Sequence, residues 1–145
     1  MIKIVQDPID VSAVIQSVDD DYAGATVLFL GTVRNHNEAG AVSQIYFESY
    51  IEMAEEALIR IEQEATLRWN LKKFIAIHRI GNLQVGEIIV VIAVSSEHRK
   101  EAFEACRYAI DTLKKTVPIW KKEISGSNSR WVDGVMLEDQ KDGNV

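Results

Sequence analysis

The stretch EIIVVIAV, residues 87–94, decides the fold because it contains the longest apolar run of the chain. A short run that is apolar on both faces predicts a central strand buried on both sides of a sheet. The polar triplet SSE, residues 95–97, follows at once and predicts the cap of a long helix from about His98 to Thr116. We therefore expect a central strand that leads directly into a helix.

The segments before this strand predict further strands and two more helices. The strands are expected over residues 2–5, 25–33, 42–48 and 73–80. Asp10 predicts the cap of the first helix, and a capping box at residues 49–52 predicts the start of a second helix that ends at Asn70. Residues 34–40 predict a loop and residues 81–86 a turn. Strands that follow one another without a helix pair antiparallel, so the fold class is α+β, with a mixed, partly antiparallel sheet and about three helices.

The stretch LKKTVPIWKKE, residues 113–123, places four lysines around Pro118 and Trp120 in a chain of formal net charge −6. Proline lacks an amide proton and disfavours the helical conformation of the residue before it, so the last helix should end there. Lys114 then lies on the last helical turn and Lys121 on the extended segment beyond, where both could face one pocket. Paired lysines beside an indole suggest proton transfer or anion binding. Lysines also favour the C-terminal dipole of a helix, so a solvated helix end stays open as an alternative.

Further basic residues lie where a predicted strand ends and where the last predicted helix begins. Arg34 ends a strand and can offer a bidentate fork to phosphate or carboxylate, although it also fits an ordinary surface arginine. His98 and Arg99 begin the last helix, where free amides suit an anion, or where a neighbouring glutamate simply neutralises the arginine. His98 and Lys114 are separated by roughly 25 Å at about 1.5 Å per residue. A single small site therefore needs a long ligand, one peripheral group, or a second copy of the chain.

Length and composition bound the class of protein. The 145 residues, of which 47% are hydrophobic and 26% charged, fit one domain over residues 1–145 with a flexible tail from about residue 133. The acidic balance argues against a general nucleic-acid binder. No apolar run could span a bilayer and no signal-peptide pattern opens the chain, so we expect a cytoplasmic protein. The lone Cys106 falls in an apolar helical pattern and should be buried, and the histidine spacing predicts no metal site.

From about residue 25 to about residue 132 the chain resembles the large (catalytic) subunit of molybdopterin synthase. The matching segments keep the family's order and are residues 31–35, 48–54, 78–81, 98–103 and 113–123. The resemblance implies an α/β hammerhead-type fold and conversion of cyclic pyranopterin monophosphate (precursor Z) to molybdopterin, in molybdenum cofactor biosynthesis. It implies that two sulfurs arrive as a thiocarboxylate on the C-terminal Gly-Gly of a small ubiquitin-like subunit. It also implies a homodimer of large subunits within a heterotetramer, and no cofactor is expected.

The resemblance also implies the site residues of this sulfurtransferase. Lys121 is the leading general acid/base, and Lys114 orients the thiocarboxylate or the substrate and could share the proton transfers. The positions expected to bind substrate are Thr32, Val33, Arg34, His98, Arg99, Lys122 and Glu123. The alternative function is a non-catalytic module that grips an anionic peptide tail through the lysine segment.

Overall fold

Three helices and ten strands form in residues 1–132, the part of the chain that this computed structural model describes. The predicted tail from about residue 133 lies outside the described residues. The helices are α1 (Val11–Val18), α2 (Ile51–Trp69) and α3 (Arg99–Thr116). The strands are β1 (Ile2–Val5), β2 (Ala25–Thr32), β3 (His36–Asn37), β4 (Gly40–Ala41), β5 (Gln44–Ser49), β6 (Lys73–Arg79), β7 (Gly81–Gln84), β8 (Ile88–Ser96), β9 (Ile119–Ser125) and β10 (Asn128–Val132).

The first sheet is mixed, as the sequence predicts, and has the strand order β1-β6-β8-β2. Strand β1 runs parallel to β6, whereas β8 is antiparallel to both β6 and β2. Helix α1 packs Val14 and Val18 against one face, on which β8 presents Val91 and Ala93. Helices α2 and α3 cover the other face, so β8 is the buried central strand that its apolar run predicts.

Helix α2 buries the stripe that its spacing predicts, which consists of Ala54, Ala57, Leu58, Ile61 and Ala65. It ends at Asn70, whose left-handed backbone (φ 49°) closes the helix, as predicted. Helix α3 packs beside α2 through alanines and Cys106, and such small side chains let the two helices approach closely. No helix among residues 1–132 is long and apolar enough to cross a membrane.

The second sheet has the order β10-β9-β5-β7 and is antiparallel throughout. Its inner face buries Ile45 and Phe47 of β5 and Leu83 of β7 in a separate apolar cluster. Ile4 and Ile89 of the first sheet also pack on this cluster, so the second sheet lies against one end of the first. This arrangement leaves space between the two sheets next to the C-terminal end of α3.

Two segments predicted as irregular contain short strands. The predicted loop 34–40 holds β3, which pairs with β4 in a small hairpin. The predicted turn 81–86 holds β7, which pairs with β5 from Gly81↔Phe47 to Gln84↔Gln44. Both segments lack a strong apolar alternation, so strand pairing decides their conformation, with a neighbouring partner for β3 and a distant one for β7.

Of the three predicted helix caps, that of α1 is confirmed, since the Ala13 amide donates to the Asp10 carboxylate at 3.1 Å, whereas those of α2 and α3 are wrong at the level of the capping side chain. Tyr50 is the N-cap of α2 and makes no side-chain cap, because the Ser49 hydroxyl instead donates to the carbonyl oxygen of Pro118 at 3.0 Å. His98 is the N-cap of α3 and also makes no side-chain cap, while Ser95 and Ser96 extend β8. In both places a tertiary contact or a sheet ladder replaces the local hydrogen bond that the pattern predicts.

Candidate active site

A cavity of about 550 Å³ lies between the two sheets at the C-terminal end of α3. Its walls are mostly apolar and include Phe29, Phe47, Ile89, Val90, Ile110, Leu113 and Ile119. The polar side chains that line it are Thr32, Arg34, His36, His78, Lys114, Lys121 and Glu123. A cavity of this size with a few convergent polar groups is typical of a small-molecule site.

The chain reversal at Pro118 brings the two predicted lysines to this cavity. Lys114 lies on the last turn of α3, and β9 begins at Ile119 and runs back past the helix end. Side chains alternate along a strand, so Lys121 faces the cavity while Lys122 faces the other side of the sheet. The Lys122 ammonium lies over the ring of Trp131, 5.6 Å from its centroid, and does not line the cavity.

A register shift at the end of β2 shapes the opposite wall. The pairing of β2 with β8 shifts between Gly31 and Thr32, and such a bulge turns the strand. Thr32 and Arg34 then line the cavity, whereas Val33 between them is buried in the apolar cluster on the inner face of the second sheet. The Val33 amide donates to the carbonyl oxygen of Glu87 at 3.0 Å, so this residue anchors the wall rather than contributing to its surface.

Glu123 connects several elements around the cavity, and its side chain is only 11% exposed. Its carboxylate oxygens lie 3.8 Å from Lys121 Nζ and 3.9 Å from Arg130 Nη2. The Asn37 amide also donates to it and so ties the β3–β4 hairpin to β9. The sequence does not single out Asn37 or Arg130 as site residues. Asn37 lies 86 residues from Glu123, so no local pattern indicates their contact, and Arg130 meets Glu123 only through the pairing of β10 with β9.

His78 also lines the cavity and forms a basic pair with Arg79 in strand β6. Its ring is 5% exposed, and burial lowers its pKa from 6.5 to about 4. The imidazole is therefore neutral near pH 7. Its Nδ1 lies 2.8 Å from the carbonyl oxygen of Arg79, and its ring meets Phe47 edge to face at 5.3 Å between centroids.

His98 and Arg99 lie at the opposite end of α3 and do not line the cavity of their own chain. Both are exposed, and the His98 ring lies 3.7 Å from the carboxylate of Glu97. One chain therefore brings together Arg34, Lys114 and Lys121 but leaves this basic pair outside.

Comparisons with known proteins place the chain in a family. The family model described as MoaE protein matches residues 4–116. The molybdopterin synthase catalytic subunit of Haemophilus influenzae is 41% identical over 91% of this chain and 89% of its own length. The chain therefore belongs to the MoaE family, as the resemblance in its sequence predicts.

Solved structures agree with this assignment. The crystal structure of molybdopterin synthase from Staphylococcus aureus is 42% identical and superposes with a TM-score of 0.86, covering 90% of this chain and 95% of that one. A Helicobacter pylori structure, described as a complex of subunits 1 and 2 of molybdopterin-converting factor, has a TM-score of 0.76 over 91% of this chain and 90% of that one. At 19% identity, this second likeness concerns the fold alone. The predicted α+β class is confirmed.

Proposed function

We propose that this chain is the catalytic subunit of a molybdopterin synthase that converts cyclic pyranopterin monophosphate to molybdopterin in molybdenum cofactor biosynthesis. The observation that carries the proposal is the meeting of Arg34, Lys114 and Lys121 at one cavity in a member of the MoaE family. A closely related protein with 41% identity is named for the same enzyme subunit. The reaction class is sulfur transfer.

The residue types suit this chemistry. Arg34 is exposed at the cavity mouth and can bind the substrate phosphate through charge-assisted hydrogen bonds. Opening of the cyclic phosphate and loss of water both need proton transfer, which we assign to Lys121 as general acid/base. The carboxylate of Glu123, 3.8 Å from the Lys121 ammonium, holds that group at the cavity. Lys114 orients the incoming thiocarboxylate or the substrate from the other wall.

The sulfur donor is a second protein. We propose a small ubiquitin-like subunit whose C-terminal Gly-Gly carries the thiocarboxylate and enters the cavity. The described complex of two subunits from Helicobacter pylori, one chain of which shares this fold, supports such an assembly. Glycine lacks a side chain, so a Gly-Gly end can reach a narrow cavity between two sheets. A cytoplasmic location remains a prediction of the sequence.

A second copy of the chain accounts for His98 and Arg99. Within one chain these residues lie at the far end of α3, whose 18 residues span about 27 Å at 1.5 Å per residue. In a twofold dimer, one protomer can place its helix start at the cavity of the other. We propose that His98 and Arg99 bind the substrate in this way, within a homodimer that carries one small subunit at each end.

Reconstitution tests the proposal. Purified chain, thiocarboxylated small subunit and cyclic pyranopterin monophosphate should yield molybdopterin, detected by mass spectrometry. Lys121→Ala should lower the rate of product formation by about 10²- to 10⁴-fold, the usual contribution of a general acid/base, while binding of the small subunit is retained. The matched control is Lys3→Ala, which removes an exposed lysine from β1 away from the cavity lining.

The same experiment separates the two candidate functions. A non-catalytic module would bind the donor tail but form no product with any variant. Loss of donor binding in Lys121→Ala, without product formation by the unaltered chain, would favour that module over the enzyme.

A further inference from the structure

The floor of the cavity is formed by a row of residues across the first sheet. Val90 of β8 pairs with Gly31 of β2 on one side and with His78 of β6 on the other. All three line the cavity. Gly31 has no side chain, and a Cβ atom there would lie only 2.7 Å from Val90 Cγ1, so the Val90 side chain covers this part of the floor next to His78.

The tautomer of His78 follows from its one hydrogen bond. A carbonyl oxygen can only accept, so the Nδ1 nitrogen, 2.8 Å from the carbonyl oxygen of Arg79, carries the ring proton. The Nε2 nitrogen then keeps its lone pair. Arg79 is itself held at two points, because its Nε donates to the Gln6 carbonyl oxygen at 2.9 Å and its Nη1 lies 3.3 Å from Glu87. The hydrogen bond to the Arg79 carbonyl oxygen and the edge-to-face contact with Phe47 set the orientation of the imidazole.

The charged groups lie elsewhere in the cavity. Arg34 and Lys114 are exposed, and Lys121 has 39% of its side chain exposed, so the cations form the mouth. His78 is buried beside Phe47 and Val90 on the floor. A phosphate suits the cationic mouth, whereas a lone pair on a neutral ring repels phosphate oxygens. An apolar floor with one neutral acceptor suits a flat heterocycle that carries an N–H donor.

We infer that Nε2 of His78 accepts a hydrogen bond from an N–H group of the substrate's pterin ring and so determines how the ring lies on the cavity floor. This inference rests on the proposed function. The neutral state that it needs agrees with the lowered pKa of the buried ring. His78 is thus a specificity-determining residue that selects a heterocycle with a donor at this position.

Titration calorimetry with cyclic pyranopterin monophosphate tests the inference. His78→Phe keeps a ring of similar size but has no acceptor, so binding should weaken about 10- to 100-fold, as expected when one buried donor is left unpaired. His78→Gln can place its amide oxygen near the former Nε2 and should bind within about 3-fold of the unaltered chain. The matched control is Ile77→Val, which changes the neighbouring buried residue on the opposite face of β6 and should leave binding unchanged.

Inorganic phosphate serves as a second probe, with its binding measured by competition. Its affinity should be the same in His78→Phe and in the unaltered chain, because the cationic mouth is intact. Unchanged substrate binding in His78→Phe would overturn the inference. Equal losses in the Phe and Gln variants, or a parallel loss of phosphate binding, would also overturn it and would indicate a structural role. Product formation by the unaltered chain tests the proposed function separately from any of these results.

Discussion

At one end of α3, Lys114 lines a cavity together with Arg34 and Lys121, whereas at the other end His98 and Arg99 are exposed. The helix dipole favours cations at its C-terminus and disfavours them at its N-terminus. The fold also gathers further polar groups around the first end, whereas at the second end the His98 ring lies 3.7 Å from the carboxylate of Glu97. The comparison shows that one chain gathers its polar groups at the C-terminal end of α3, and our proposal assigns the N-terminal end to the cavity of a second copy.

After Lys121→Ala, the largest expected effect on activity concerns two neighbouring lysines on the last turn of α3. Lys114 lines the cavity, while Lys115 is exposed and does not. Lys114→Ala should lower the rate of molybdopterin formation by about 100-fold, because the thiocarboxylate or substrate loses its orienting group. Lys115→Ala should leave this rate within about 2-fold of that of the unaltered chain. Equal rates for both variants in the reconstituted assay would contradict the contrast between the two positions.

The next effect tests whether the far end of α3 acts on a second copy. Arg99→Ala should lower activity about 10- to 100-fold if its charge-assisted hydrogen bond to the substrate is lost. Mixing Arg99→Ala chains with Lys121→Ala chains should then restore about a quarter of full activity, because half of the randomly formed dimers are mixed and each holds one intact site. Activity that stays at the level of the separate variants would argue that all site residues come from one chain.

An effect on stability rather than on activity distinguishes the buried imidazole at the cavity from the exposed one at the start of α3. The pKa of His78 is lowered from 6.5 to about 4 by burial, so between these values the unfolded chain binds a proton that the folded chain does not. The free energy of unfolding should therefore be fully retained above pH 6.5 and fall by about 3 kcal/mol as the pH drops to 4.

Urea unfolding at several pH values measures this dependence. His78→Gln should remove most of the decline between pH 6.5 and 4, and His98→Gln is the control for loss of an exposed imidazole. The same decline in the unaltered chain and in His78→Gln would show that other groups cause it.

The smallest effect compares the two ends of β2, which lie next to the two ends of α3. A Cβ atom at Gly24 would lie 2.4 Å from the carbonyl oxygen of Glu97, a backbone atom that cannot rotate away. At Gly31 the obstacle is a methyl group of Val90, which can move. Gly24→Ala should therefore lower the free energy of unfolding by about 1–3 kcal/mol, and Gly31→Ala by less. Gly31→Ala should lower the affinity for the substrate more than Gly24→Ala does, since Gly31 is on the cavity floor.

The sequence alone predicts most of the helices and strands. The apolar run of β8, the buried stripe of α2 and the helix stop before Pro118 are local patterns, and each appears in the structure. The caps of α2 and α3 fail because Ser49 bonds to Pro118 and because the ladder with β2 extends to Ser96. A capping pattern in the sequence does not show whether a residue distant along the chain competes for the same hydrogen bond.

For the candidate site, too, the sequence predicts one part and the tertiary structure decides the other. Only the chain reversal at Pro118 separates Lys114 from Lys121, so a proline between the end of α3 and the start of β9 is enough to place them together. The family resemblance, rather than any local pattern, connects them with Arg34. Tertiary structure alone decides that Lys121 faces the cavity and Lys122 does not, because strand pairing sets which face turns inward.

By itself, the sequence determined the class of fold, the order of its elements and the family, since these depend on local periodicity and on matched motifs. Only the tertiary structure decided the inward position of His78 and the link between Asn37 and Glu123 across 86 residues. The physical reason is that such contacts join segments whose spacing along the chain carries no information about their distance in space.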